Sequence, residues 1–99
     1  NQAHRDAQAL ASLIQTHLSP RHQFKNRGIK QAPFHVLMGV SMPAVVCEVG
    51  FINHAKEGRY ITSEEGQEHI AHGIADGVFA FGLDVVKMRK KLVPERMMP

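Results

Sequence analysis

The sequence holds one cysteine, Cys47, in 99 residues, so an internal disulfide is excluded and no redox compartment follows from it. No apolar run approaches the roughly 20 residues that cross a bilayer, which leaves no membrane span to be read from hydropathy. The metal signature HExxH is absent, and Gly28, Gly39 and Gly50 form no phosphate-cradling loop. Aromatic residues stop at Phe81, so the basic end lacks the stacking platforms of a single-strand nucleic-acid binder. There is no opening methionine and no signal-like segment, and the chain begins in mid-pattern. The expectation is a piece of a longer protein whose targeting signals lie elsewhere.

What is present describes one small domain. Hydrophobic residues make up 43%, a globular composition. A chain of this length buries roughly 60–65% of its unfolded surface. The net charge of +3 is unevenly placed. Lys87, Arg89, Lys90, Lys91 and Arg96 crowd the end against Glu95 alone, and the rest is close to balanced.

Ala7, Leu10, Ala11, Ile14 and Leu18 recur at helical spacing, predicting a helix over 4–18 that Ser19-Pro20 ends. Asn26-Arg27-Gly28 is a turn signal inside a polar segment, 21–31. Phe34 to Met38 and Ala44 to Val49 read as strands. The link Gly39–Pro43 is too short for a parallel crossover, so direct pairing is antiparallel. A loop with one helical turn follows over 53–61. Thr62 or Ser63 then caps a helix running to about Leu83, with Glu64 and Glu65 in its first turn. Gly73 and Gly77 lie on its apolar stripe and suit close approach of helix to sheet; interleaved His69, His72 and Asp76 exclude a membrane dimerisation motif. Residues 87–99 are a basic tail, either a helix extension ending before Pro94 or a disordered end.

The order helix, strand, strand, helix predicts an α/β fold in layers. An Ala44–Val49 strand that is almost wholly apolar is one covered on both faces, and it needs neighbours that this stretch hardly supplies.

Glu48 interrupts that apolar run, where dehydrating a carboxylate costs several kcal/mol without compensation. Two readings stand: a carboxylate at an exposed strand end or paired with Arg27 or Lys30, and a general acid or base at a strand's carboxyl end. Seven histidines, His4, His17, His22, His35, His54, His69 and His72, show no zinc-ligand spacing beyond the i,i+3 pair His69 and His72. Cys47 is expected to be a buried, inert thiol facing away from Glu48.

Two motifs carry a resemblance: Asn26-Arg-Gly-Ile-Lys-Gln-Ala-Pro-Phe-His-Val-Leu37 and Ser41-Met-Pro-Ala-Val-Val-Cys-Glu-Val-Gly-Phe-Ile52. With the flanking helices they cover roughly 7–83 and resemble the C-terminal half of the zinc-dependent N-acetylmuramoyl-L-alanine amidases. The resemblance implies a three-layer α/β/α fold with a mixed, mostly parallel sheet, of which residues 1–86 are the C-terminal part. It implies hydrolysis of the amide between N-acetylmuramic acid and the L-alanine of the stem peptide, with peptidoglycan as substrate in the periplasm or outside the cell. Glu48 matches the family's catalytic glutamate, in position to accept a proton from water. The zinc ligands of such enzymes belong to an N-terminal half with no counterpart in this chain, so this stretch alone is expected to be inactive. An exposed sheet edge is then expected to drive chain–chain pairing. The family runs Ser-Asn-Pro where this chain has Asn53-His54-Ala55; His54 reads as a loop residue before it reads as one lining the mouth of the site. The competing class is a non-catalytic module that binds cell wall or a partner through the remaining scaffold, with the basic tail attracting anionic polymer; nucleic acid is the weakest candidate partner.

Overall fold

The computed structural model describes residues 2–20, 28–29 and 37–92. Their order is three helices: α1 (Gln2–Leu18), α2 (Ala55–Thr62) and α3 (Glu64–Leu92). No strand occurs among the described residues, which corrects the expected α/β fold. Residues 34–36 of the first expected strand lie outside them, and residues 37–39 form a turn. Residues 44–49, the expected second strand, are irregular and unpaired. An apolar run fixes the propensity of a strand but not its partner, and a strand exists only through the ladder it shares with a neighbour. No sheet edge that could pair chains occurs among the described residues.

α1 forms as its spacing predicts, two residues earlier than expected. Gln2 links to Asp6 at 2.7 Å and Arg5 to Gln2 at 3.0 Å across its first turn. Its end is closed by Ser19, whose N–H and hydroxyl both donate to the Gln15 carbonyl, at 3.0 and 2.8 Å.

α1 packs along α3 through the two glycines, so their close approach is helix to helix, not helix to sheet. A Cβ built at Gly77 would lie 2.5 Å from Ile14 Cα, and one at Gly73 would lie 2.9 Å from Leu18 Cα. Side chains at these two places would hold the helices apart. Ile14, Tyr60 and Ile70 form the buried apolar core.

Between α2 and α3 stands one residue, Ser63, with extended backbone (φ −81°, ψ 153°). Its hydroxyl donates to the Tyr60 carbonyl at 2.7 Å and accepts the Gly66 N–H at 2.9 Å, closing one helix and opening the next. Gly66 fits because any Cβ there would strike the Tyr60 carbonyl.

α3 continues past Leu83 to Leu92, so over residues 87–92 the basic tail is the helix extension ending before Pro94 that was one of its two readings. Lys87, Arg89, Lys90 and Lys91 complement the negative pole of the helix dipole there. By length and composition α3 suffices to cross a membrane, a feature the short apolar runs did not suggest. Within it, however, the Gly73 and Gly77 positions meet α1 and the sequence carries His69, His72 and Asp76. Its Val78, Phe79, Leu83 and Val86 are exposed, Phe79 at 69%. The radius of gyration is 16.2 Å, against about 13 Å for a compact chain of this length.

Candidate functional site

The segment ahead of α2 carries the candidate carboxylate. Residues 43–50 cross from the turn at 37–39 to Phe51 without helix or ladder, and Val45 and Val49 are half-buried while Val46, Cys47 and Glu48 are exposed. Glu48 is thus open to solvent, with no apolar wall among the described residues to shield it. Arg27 and Lys30, its conceivable neutralising partners, lie outside those residues. Cys47 is exposed too, which corrects the expected burial. Local desolvation nonetheless pushes its thiol above the ordinary range, so little thiolate forms near neutral pH.

Just past Glu48 the backbone is tied down. Gly50 has φ +155°, and a Cβ there would meet the Ile61 side chain at 3.4 Å and Glu57 Cβ at 3.7 Å. The Phe51 N–H donates to Glu57 Oε2 at 3.0 Å. The His54 N–H donates to the Phe51 carbonyl at 3.1 Å, closing a turn over 51–54. His54 is the residue before α2, and its Nδ1 accepts the Glu57 N–H at 3.3 Å. It acts as a helix cap. Glu57 is only 5% exposed, a carboxylate whose burial the sequence did not announce. The available signal was a capping pattern, a side-chain acceptor at the cap and Glu three residues on, hidden by a histidine where Ser or Thr is usual. Gly58 follows because a side chain there would collide with the Ile52 carbonyl.

A second polar cluster joins α2 to α3. The Tyr60 hydroxyl and His69 Nδ1 are 3.1 Å apart, and Glu65 Oε1 lies 3.9 Å from His69 Nε2. Desolvation, then the negative charge of Glu65, push the Tyr60 phenol above its ordinary value. His72 Nε2 pairs with Glu68 Oε2 at 3.2 Å on the solvent face of α3, an exposed pair of small worth.

These histidines therefore face carboxylates one turn away, not a shared centre. Among the described residues no three His, Cys, Asp or Glu converge as metal ligands. His22 and His35 lie outside those residues. The donor set among the described residues does not fit a zinc site.

Residues 1–80 match the family model of N-acetylmuramoyl-L-alanine amidases. The chain belongs to that family, and the resemblance carried by the two motifs is borne out. It is 35% identical over 72 residues to the N-acetylmuramoyl-L-alanine amidase AmiA of Escherichia coli (strain K12), covering 73% of this chain and 25% of that protein. It is 34% identical over 76 residues to the uncharacterized protein YqiI of Bacillus subtilis (strain 168), covering 77% of this chain and 37% of the other. An uncharacterized cell wall amidase of Bacillus anthracis is 32% identical over 76 residues, 77% of this chain and 14% of its own. The chain thus spans between 14% and 37% of the length of these relatives. No solved structure matches it.

Proposed function

We propose that this chain contributes the general base, Glu48, to a peptidoglycan amidase acting in the periplasm or outside the cell. The bond cleaved is the amide between N-acetylmuramic acid and the L-alanine of the stem peptide. The observation that carries the proposal is the family match over residues 1–80, which includes Glu48. An exposed Glu48 is compatible with the role, since substrate and water must reach it. As water attacks the amide carbonyl, the carboxylate takes one of its protons and delivers it to the departing nitrogen. The new carbon–oxygen bond replaces the carbon–nitrogen bond, leaving a lactyl carboxylate and a free L-alanine amine. The zinc that the resemblance implies is held, on this reading, by residues outside this stretch of the protein. This stretch alone is then inactive.

The test is Glu48→Gln in the full-length protein. Metal content per chain is expected to stay the same while amide hydrolysis falls about 10²- to 10⁴-fold, the usual worth of a general base. Normal turnover refutes the assignment.

A second reading, a wall-binding module, is favoured by one observation. α3 continues to Leu92, past the matched residues 1–80, and carries exposed Lys87, Arg89, Lys90 and Lys91 there. On that reading, binding to anionic wall polymer weakens as salt rises and is lost on removing residues 87–99, while the protein shows no turnover.

A further inference from the structure

We infer that Glu57 is a positioning residue for Glu48, holding the end of the segment that carries it. The inference rests on the reading of Glu48 as the general base. A carboxylate that is 5% exposed is costly unless its bonds return the loss, and the structure records one such bond to the backbone of this segment. Glu57 Oε2 accepts the Phe51 N–H at 3.0 Å, three residues after Glu48.

The rest of the local geometry makes that bond a fixed anchor. Glu57 lies in the first turn of α2, and its own N–H is held by His54 Nδ1 at 3.3 Å. Gly58 N–H donates to the His54 carbonyl, so the helix start and the turn before it are one hydrogen-bonded unit. Gly50 rests on Ile61 and on Glu57 itself, which leaves the backbone between Glu48 and the anchor little room to swing. Residues 44–49 have no ladder among the described residues to fix them. The Glu57 carboxylate therefore sets where the Glu48 segment ends, without touching substrate.

The experiment compares Glu57→Leu, Glu57→Gln and Glu57→Asp with Glu48→Gln in the full-length protein, well below its unfolding temperature. Glu57→Leu removes the acceptor, and kcat is expected to fall roughly 100-fold with KM nearly unchanged, the scale of a 1 Å misplacement. Glu57→Gln keeps an oxygen at the same reach and is expected to stay within about threefold of wild type, because a neutral acceptor still holds the amide. Glu57→Asp shortens the reach by one methylene and is expected to fall with Glu57→Leu. Amide exchange at Phe51 should quicken in Leu and Asp but not in Gln. A loss of mere folding would lower the unfolding temperature without this kcat pattern. Should Glu57→Leu fail to fold, the contrast between Asp and Gln decides alone. Wild-type kcat in Glu57→Asp, or Gln as impaired as Asp, overturns the inference. Full activity in Glu48→Gln overturns instead the reading of Glu48, whatever the Glu57 variants do.

Discussion

Replacing Gly77 by alanine adds one methyl group at the tightest point between α1 and α3. Built on the backbone, that carbon lies 2.5 Å from Ile14 Cα, 2.8 Å from Ile14 N and 2.9 Å from Ile14 Cγ1. Ordinary contact between such atoms needs about 3.5–4.0 Å, so the helices must separate by about 1 Å. Two of the three atoms are main chain, and no side-chain rotation clears them. Overpacking of this kind costs roughly 1–3 kcal/mol, and the rigidity of the obstacle places it near the upper end. Against it stands the gain of about 1 kcal/mol when alanine replaces glycine inside a helix. The net expectation is a loss of about 2 kcal/mol. Gly82 is the internal control: it lies on the same helix with nothing within 4 Å of its added carbon. Gly82→Ala should therefore stabilise by about 0.5–1 kcal/mol. Urea unfolding of the two variants beside wild type should show midpoints displaced in opposite directions, with unchanged slopes. If Gly77→Ala proves as stable as Gly82→Ala, the close packing of α1 on α3 is refuted.

Ser63→Ala removes both bonds of the single-residue corner and leaves the Gly66 N–H without its 2.9 Å acceptor. Thermal unfolding should report a loss of about 1–2 kcal/mol, and a neutral change would show that the corner is held otherwise. Tyr60 gives a pH prediction. Its phenol, 8% exposed, is raised above its ordinary value of 10.0, so the folded state retains a proton that the unfolded chain has released. The contribution is present below the unfolded value and is lost as pH rises through the higher folded one, so stability should fall with pH above about 10. Ultraviolet titration should show late ionisation of this sole tyrosine, and Tyr60→Phe should flatten the alkaline limb; ionisation at the ordinary value would contradict its burial.

Helical periodicity was the most legible signal. Ala7, Leu10, Ala11, Ile14 and Leu18 locate α1, and Ser63 with Glu64 and Glu65 locates the start of α3. Both depend on neighbours within a few residues in the chain. The apolar stripe marks α3 only to about Leu83; the turns beyond it are helical because they are rich in Lys and Arg, good helix formers that complement the dipole. The candidate site was legible as a motif around Glu48, not as an environment. Nothing within that motif announces that Cys47 is exposed, or that Glu57 folds back to hold Phe51.

The sequence by itself determined the helix-forming segments of α1 and α3, though not α2, which read as a loop with one turn, together with the glycines that admit close contact and the motifs that place the chain among the amidases. Each is a property of local spacing or of residue type. Only the tertiary structure decided that Gly73 and Gly77 meet a helix, that residues 44–49 have no ladder among the described residues, and that the buried carboxylate is Glu57 while Glu48 stays open. Burial and pairing are relations between distant parts of a chain, and an apolar run is equally compatible with a strand, a loop or a face awaiting a partner.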